Sequence, residues 1–275
     1  MILNRAEERF EVRYADRIVL ITGAGRGIGR ATAARLAAEG AALAILDRDE
    51  TAASQAAAAL REGGADALAL TADITDRSAL EGAIELALGH FGRIDVLVNN
   101  AARALKGNLA QTTPEDWASE LAGTLNGAFL ATQLVLPGMV AQGSGVIVNV
   151  GSVNGLLALG NPGYSAAKAG LLSFTKALAT EYGKSGIRAN MVSPGTIRTE
   201  SPSWQKRLTR DPQVFEKLAR WYPVGRVGRP DDIAAAIAFL AADEAAFVNG
   251  ANLVVDGGLT AGIAPMIQEL TLETR

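Results

Sequence analysis

Strand-length apolar runs and helix-spaced segments alternate strictly along this chain, and that alternation constrains the fold more than any other feature. The runs fall at 18–21, 42–46, 67–70, 96–98, 146–150, 188–192 and 253–255. Between them, at 27–38, 50–61, 77–91, 114–133, 164–182 and 230–241, lie Ala-, Leu- and Glu-rich segments with helical periodicity. Thr113-Pro114-Glu115-Asp116 supplies an N-cap residue, a proline at the first helical position and acids in the first turn, and Pro230-Asp231-Asp232 repeats the pattern. Strands that are apolar at consecutive positions are covered on both faces. The expected architecture is therefore a doubly wound α/β fold of Rossmann type: a parallel seven-stranded sheet with helices on both faces, in a single domain. In such sheets ligands bind beyond the carboxyl ends of the strands.

A chain of 275 residues fits one domain of this kind. Residues 1–15 read as a polar N-terminal extension and 16–275 as the catalytic domain; 199–222, polar and aromatic without strand character, read as a substrate lid. No run of eighteen apolar residues lacks a charge or a turn former, so no bilayer span is expected. A net charge of −3 with scattered basic residues leaves no electrostatic footprint for nucleic acid or an anionic membrane and favours small-molecule work. With no cysteine there are no disulfides, thiolate nucleophiles or sulfur-ligated metals, and the lone His90 cannot build a metal site, so none is expected. A charged start (Arg5, Glu7, Glu8, Arg9) with no apolar core argues against export and points to the cytoplasm.

Thr22-Gly23-Ala24-Gly25-Arg26-Gly27-Ile28-Gly29 follows the first run and opens directly into a helix. Glycines there let the loop turn and let main-chain N–H groups and the helix N-terminus face a pyrophosphate, although a purely structural turn has the same composition. Asp47 ends the second run eighteen residues after Gly29, close to the spacing of the acid that binds a ribose. A carboxylate there accepts from both ribose hydroxyls and repels a 2′-phosphate, which favours NAD over NADP. Arg26 and Arg48 pull the other way, and Asp47 also reads as a cap for the next helix. Asp73, followed by Ile74 after the third run, is placed to accept from an adenine amino group or to start a helix. Asn99-Asn100-Ala101-Ala102 leaves room for a flat ring after the fourth run.

Ser152 follows the fifth run, and a helix then opens with Tyr164-Ser165-Ala166-Ala167-Lys168. Residues four apart share a helix face, so the ammonium can favour ionisation of the phenol. Bringing a tyrosine from pKa about 10 to neutrality needs about 4 kcal/mol of differential stabilisation, which a lysine and a positive oxidised nicotinamide can supply in a poorly hydrated site.

Together these motifs resemble the short-chain dehydrogenase/reductase family over residues 16–260. The elements that carry the resemblance are the 22–29 loop, Asp73, Asn99-Asn100-Ala101, Ser152, Tyr164-x-x-x-Lys168, Pro194-Gly195-Thr196-Ile197-Arg198-Thr199 and Val255-Asp256-Gly257-Gly258. The resemblance implies Tyr164 as acid/base, Lys168 as its pKa-lowering partner and ribose ligand, Ser152 as donor to the substrate oxygen, and Asn100 beside the nicotinamide ribose. Pro194, Ile197 and Thr199 would hold the carboxamide end. It also implies homo-oligomers, dimers or tetramers, built on the Ala-rich fourth and fifth helices. Two positions depart from the pattern. Thr124 stands where the family usually has an asparagine that completes a water relay to the lysine, with its hydroxyl as a substitute anchor, and Ala102 stands for a glycine. Asn126 is two helical positions away, about 200° around, and should point elsewhere.

The expected activity is hydride transfer between NAD(H) and a secondary alcohol or ketone. An NADPH-dependent ketoreductase and a non-catalytic NAD-binding protein are the alternatives. Asn154, Leu156, Leu157 and the lid residues Trp204, Leu208, Phe215, Leu218, Trp221 and Tyr222 suggest a largely apolar substrate pocket, while Lys206, Arg207, Arg210 and Arg220 either meet an anion or form a solvated helix face.

Overall fold

The Val-, Ile- and Leu-rich runs form seven strands: β1 (Ile18–Thr22), β2 (Ala42–Asp47), β3 (Ala67–Thr71), β4 (Val96–Asn99), β5 (Gly145–Val150), β6 (Ile187–Pro194) and β7 (Asn252–Val255). In the computed structural model, which describes residues 12–105, 107–263 and 265–267, all seven lie parallel in the order β3-β2-β1-β4-β5-β6-β7. The connection reverses direction between β1 and β4, and there the carboxyl ends of the strands open into a crevice.

Side chains alternate across the sheet, so each strand feeds two cores. Val19, Ile21, Leu43 and Ile45 pack under α1 (Gly27–Ala38), α2 (Glu50–Glu62) and α9 (Pro230–Ala241), whose Leu36, Ala53 and Ile237 they meet. Leu20, Ala44, Leu46 and Leu97 point the other way, toward α3 (Arg77–Phe91), α5 (Gly127–Gln142) and α6 (Pro162–Tyr182). The expected doubly wound sheet is what forms.

Three expectations need correction. The segment taken as one helix over 114–133 runs on to residue 142 and is broken internally: α4 (Pro114–Leu121), a π-helical turn (Ala122–Asn126), then α5. Pro137 lies inside α5. An internal proline costs about 3 kcal/mol, but Val135 and Met139 on either side of it are buried, and their burial outweighs that cost. By length and composition alone the 29-residue stretch Pro114–Gln142 is apolar enough to cross a bilayer; its Ala131, Val135 and Met139 are instead buried in the sheet core. Second, the end of the polar extension is part of the body. Tyr14 is 1% exposed and its hydroxyl donates to the Ala238 carbonyl of α9, while Arg13 pairs with Glu39 and Glu244. Residues 1–11 of that extension lie outside the described residues. Third, the lid is helical: α7 (Pro202–Arg210) and α8 (Val214–Ala219) occupy most of it.

Leu97, at 0% exposure in the centre of β4, tests how much of the stability comes from this double core. Leu97→Ala is expected to lower the unfolding free energy by about 2–5 kcal/mol in a urea titration.

Candidate active site

The β1–α1 turn is shaped by what its glycines leave out. Gly23 and Gly27 have φ of 64° and 57°, a left-handed backbone that penalises other residues. A Cβ on Gly23 would lie 2.9 Å from the Ala101 Cα, and one on Gly29 would lie 2.4 Å from the Gly23 carbonyl oxygen and 2.6 Å from the Asn100 Nδ2. Asn100 fastens the same junction: its side-chain amide donates to the carbonyls of Thr22 (3.0 Å) and Gly23 (2.9 Å), and its backbone N–H donates to the Thr22 hydroxyl. The side chain of the N-cap residue, Arg26, makes no capping hydrogen bond, and Gly27 and Ile28 of the first turn line the cavity. A cradle emptied of Cβ atoms at a helix N-terminus fits a dinucleotide pyrophosphate.

Asp47 is 8% exposed and held at both oxygens, accepting from the N–H groups of Gly25 (3.0 Å) and Asp49 (3.1 Å). It caps nothing further along; Asp49 is the N-cap of α2 and pairs with Arg26. Asp73 accepts from the backbone and hydroxyl of Thr75, and the Thr75 N–H holds its carboxyl below the usual carboxylate range. Asp47, Asp73, Ile74 and Arg48 all line one cavity of about 1150 Å³, together with Gly23, Arg26, Gly27, Ile28, Asn100, Pro194, Ile197 and Thr199. Gly29 lies one layer behind, where its lack of a side chain lets the turn close.

Ser152, Tyr164 and Lys168 line the same cavity. Lys168 is 1% exposed, donates to the Val150 carbonyl at 2.5 Å, and its Nζ lies 5.5 Å from the centre of the Tyr164 ring. The Ser152 hydroxyl donates to the Asn154 side-chain oxygen at 3.4 Å and accepts from the Asn154 N–H at 3.1 Å. The electrostatics differ from expectation. Burial pushes the Tyr164 phenol up, the Ser152 hydroxyl pulls it down, and the Glu120 carboxylate pushes it up again. Burial also brings Lys168 down to about 7, so near neutrality this lysine carries only part of the charge that was to depress the phenol.

A chain of buried amides and hydroxyls holds α6, which carries Tyr164 and Lys168, to the sheet. Asn99 of β4 donates to Thr132 and to Asn149 of β5, and Asn149 donates to Thr175 of α6. Both asparagines were visible as strand-end residues, but nothing in their spacing announced this link. Thr124, the expected substitute anchor of the relay, is buried and engaged with the chain after β4. Its hydroxyl donates to the Arg103 carbonyl and accepts from the Arg103 N–H, both at 3.1 Å, which spends its one proton on the chain after β4. Asn126 is exposed, as expected. Glu120, buried and bonded to the backbone of Tyr164 and Leu105, was not singled out; in one sequence it looks like any acid on a solvated helix.

Of the expected pocket residues, Asn154, Trp204, Leu218, Trp221 and Tyr222 line the cavity, joined by Leu159 and Leu259. Leu156 and Leu157 are exposed instead, and Phe215 packs on Trp204 with ring centres 4.8 Å apart. Tyr222 also ties the lid down, its hydroxyl accepting from the Thr196 N–H at 2.8 Å. Arg207 is the lid cation that reaches the cavity, with its guanidinium 4.5 Å from the Trp204 ring centre.

Fold and site together define a class, the single-domain Rossmann-type oxidoreductases of alcohol substrates. The chain belongs to the short-chain dehydrogenase/reductase family. The family model described as Enoyl-(Acyl carrier protein) reductase matches residues 23–260. An uncharacterized oxidoreductase of Schizosaccharomyces pombe is 44% identical over 258 residues, 94% of this chain and 96% of that one. Meso-2,3-butanediol dehydrogenase of Serratia marcescens is 37% identical over 251 residues, 91% and 97% of the two chains. The crystal structure of a short-chain dehydrogenase/reductase family oxidoreductase from Burkholderia thailandensis superposes with a TM-score of 0.87 at 47% identity, covering 94% of this chain and 98% of that one. Members of this family use nicotinamide cofactors.

The depressed lysine makes stability depend on pH. Between about 7 and the ordinary lysine value of 10.5 the unfolded chain binds a proton that the folded chain does not, so stability rises with pH across that window. Below it the cost of a buried charge is fully present. Thermal melts without added nucleotide are expected to show Tm climbing from pH 6.5 to 9, with a shallower climb in Lys168→Met; equal slopes would refute the shift.

Proposed function

We propose that the chain interconverts a secondary alcohol and its ketone with NAD(H), with Tyr164 as the proton-transfer group. The observation that carries this reading is convergence: Ser152, Tyr164 and Lys168 share one cavity with the glycine cradle and Asp47. A dinucleotide held by the glycine cradle, Asp47 and Asn100 would supply the hydride acceptor for oxidation and the hydride donor for reduction.

The protein's part is to hold and move one proton. Ser152 holds the substrate oxygen beside the phenol. In oxidation the ionised Tyr164 takes the hydroxyl proton, and in reduction the neutral phenol gives it back to the carbonyl oxygen. Lys168, in its charged form, favours the phenolate; burial and Glu120 favour the phenol, which suits proton donation to a ketone. The first turn of α1 and Asn100 hold and shape the cofactor end, Asp73 and Ile74 the adenine side, and Pro194, Ile197 and Thr199 the carboxamide end.

Asp47 supports NAD over NADP. For a 2′-phosphate to bind, this carboxylate has to turn away, and two backbone N–H groups restrain it where it stands. Arg26, one of the two guanidiniums that favoured NADP, is already paired with Asp49. The cavity walls supplied by the lid and by Leu159 and Leu259 are mostly apolar, which supports a substrate with a hydrocarbon body. Phe129 and Val140 on α5 are exposed at 45% and 41%, and Phe129 packs edge-on against Phe174 of α6; they support the proposal that the 114–142 segment and α6, the fourth and fifth helices expected from the sequence, meet a second copy of the chain.

Tyr164→Phe is expected to lower kcat by at least about a thousandfold with NADH affinity within about twofold, read by stopped assays on a panel of secondary alcohols that includes meso-2,3-butanediol and by nucleotide fluorescence titration. Near-normal turnover would reject the assignment. Asp47→Ala is expected to narrow the ratio of NADPH to NADH dissociation constants by about tenfold or more, and an unchanged ratio would remove Asp47 as the discriminator.

A further inference from the structure

Glu120 is a buried carboxylate whose charge enters the chemistry above but whose hydrogen bonds do not. It is the penultimate residue of α4, two positions before the π-helical turn, and is 2% exposed. Among the described residues it forms no ion pair with a lysine or arginine. A lone buried carboxylate is costly unless its oxygens are satisfied. Both are: Oε2 accepts from the Tyr164 N–H at 3.1 Å and Oε1 from the Leu105 N–H at 2.6 Å.

The two partners belong to separate segments of the chain, each of which contributes residues to the cavity. Tyr164 is the third residue of α6, a helix whose N-cap, Asn161, is left-handed (φ 50°) and offers no side-chain cap. Glu120 supplies from another helix the acceptor that Asn161 does not. Leu105 belongs to the chain after β4, whose Ala102, Arg103 and Ala104 line the cavity. The approach is possible because residue 163 is glycine: a Cβ there would lie 2.5 Å from the Glu120 Oε2 and 3.4 Å from the Trp117 ring.

We propose that Glu120 is a positioning residue for the reaction, clamping the first turn of the Tyr164 helix to the chain after β4 so that the phenol and that part of the cavity wall keep one geometry. It acts on the chemistry through Tyr164, and the proposal rests on Tyr164 being the proton-transfer group. A second consequence follows from its charge. The carboxylate meets the backbone of Tyr164 rather than its ring, and through space its negative charge, added to burial, opposes phenolate formation, while Ser152 favours it.

The test compares Glu120→Gln and Glu120→Asp with the unaltered chain, using saturating NAD and the best alcohol of the panel. Gln keeps the shape and one acceptor oxygen but removes the charge. It is expected to move the acid limb of oxidative kcat/KM down by about half to one pH unit, a three- to tenfold gain in rate on that limb. Asp keeps the charge but is too short to reach both amides. It is expected to lower kcat about tenfold with the limb in place and KM for NAD unchanged. Ultraviolet titration of tyrosinate, taken as the difference from Tyr164→Phe, reads the phenol without turnover and is expected to shift with Gln as the limb does. A Gln variant with an unchanged limb and an unchanged phenol titration overturns the electrostatic role; an Asp variant with normal kcat overturns the clamp, whether or not Gln folds. A shifted phenol titration with a fixed limb upholds Glu120 and rejects Tyr164 as the base.

Discussion

The site exists because two backbones come together at the point where the sheet reverses direction. Gly23 meets Ala101 with no room for a Cβ, Gly29 folds back over the Gly23 carbonyl, and the Asn100 amide bridges the carbonyls of Thr22 and Gly23. That contact joins the end of β1 to the end of β4 and sets the first turn of α1 at the crevice. Everything else in the cavity is arranged around it: Asp47 on one side, the chain after β4 on the other, and the Tyr164 helix across the opening.

Opposite the cradle, the governing constraint is desolvation. Lys168 is buried with one carbonyl partner, and the cost of its charge is large enough to bring its proton affinity near neutrality. The same dry surroundings oppose ionisation of Tyr164. Each group of the pair therefore prefers its neutral form in this environment, and small additions of charge decide which side of the balance the site occupies. A buried anion that also serves as a mechanical clamp is well suited to that position.

Much of this was legible in the sequence. Consecutive apolar residues in seven short runs required a two-faced sheet, and the distances from Gly29 to Asp47 and from Tyr164 to Lys168 placed three candidate side chains, one at a strand end and two on one helix face. The expected doubly wound fold and the gathering of Gly23, Asp47, Ser152, Tyr164 and Lys168 around one cavity both follow from local rules. What stayed hidden depends on partners distant in the chain. Glu120 and Leu105, Asn99 and Thr132, Tyr222 and Thr196 are pairings that no periodicity announces. The expected depression of the Tyr164 phenol rested on a fully charged lysine, and burial, which a sequence does not display, changes the charge itself. The hydroxyl of Thr124 was assigned a role by position, whereas backbone groups of Arg103 had already engaged it.

The π-helical turn at Ala122–Asn126 gives the long segment between β4 and β5 two independent faces. One extra residue in a turn retards the helix by about 100° of rotation. The half before it can therefore aim Glu120 at α6 while the half after it keeps Ala131, Val135 and Met139 on the sheet. A regular helix of the same length would have to misalign one of the two. Deleting a single residue within that turn would put the halves back in phase and withdraw one face or the other, so the local irregularity works as a phase shifter that lets one rod satisfy two masters.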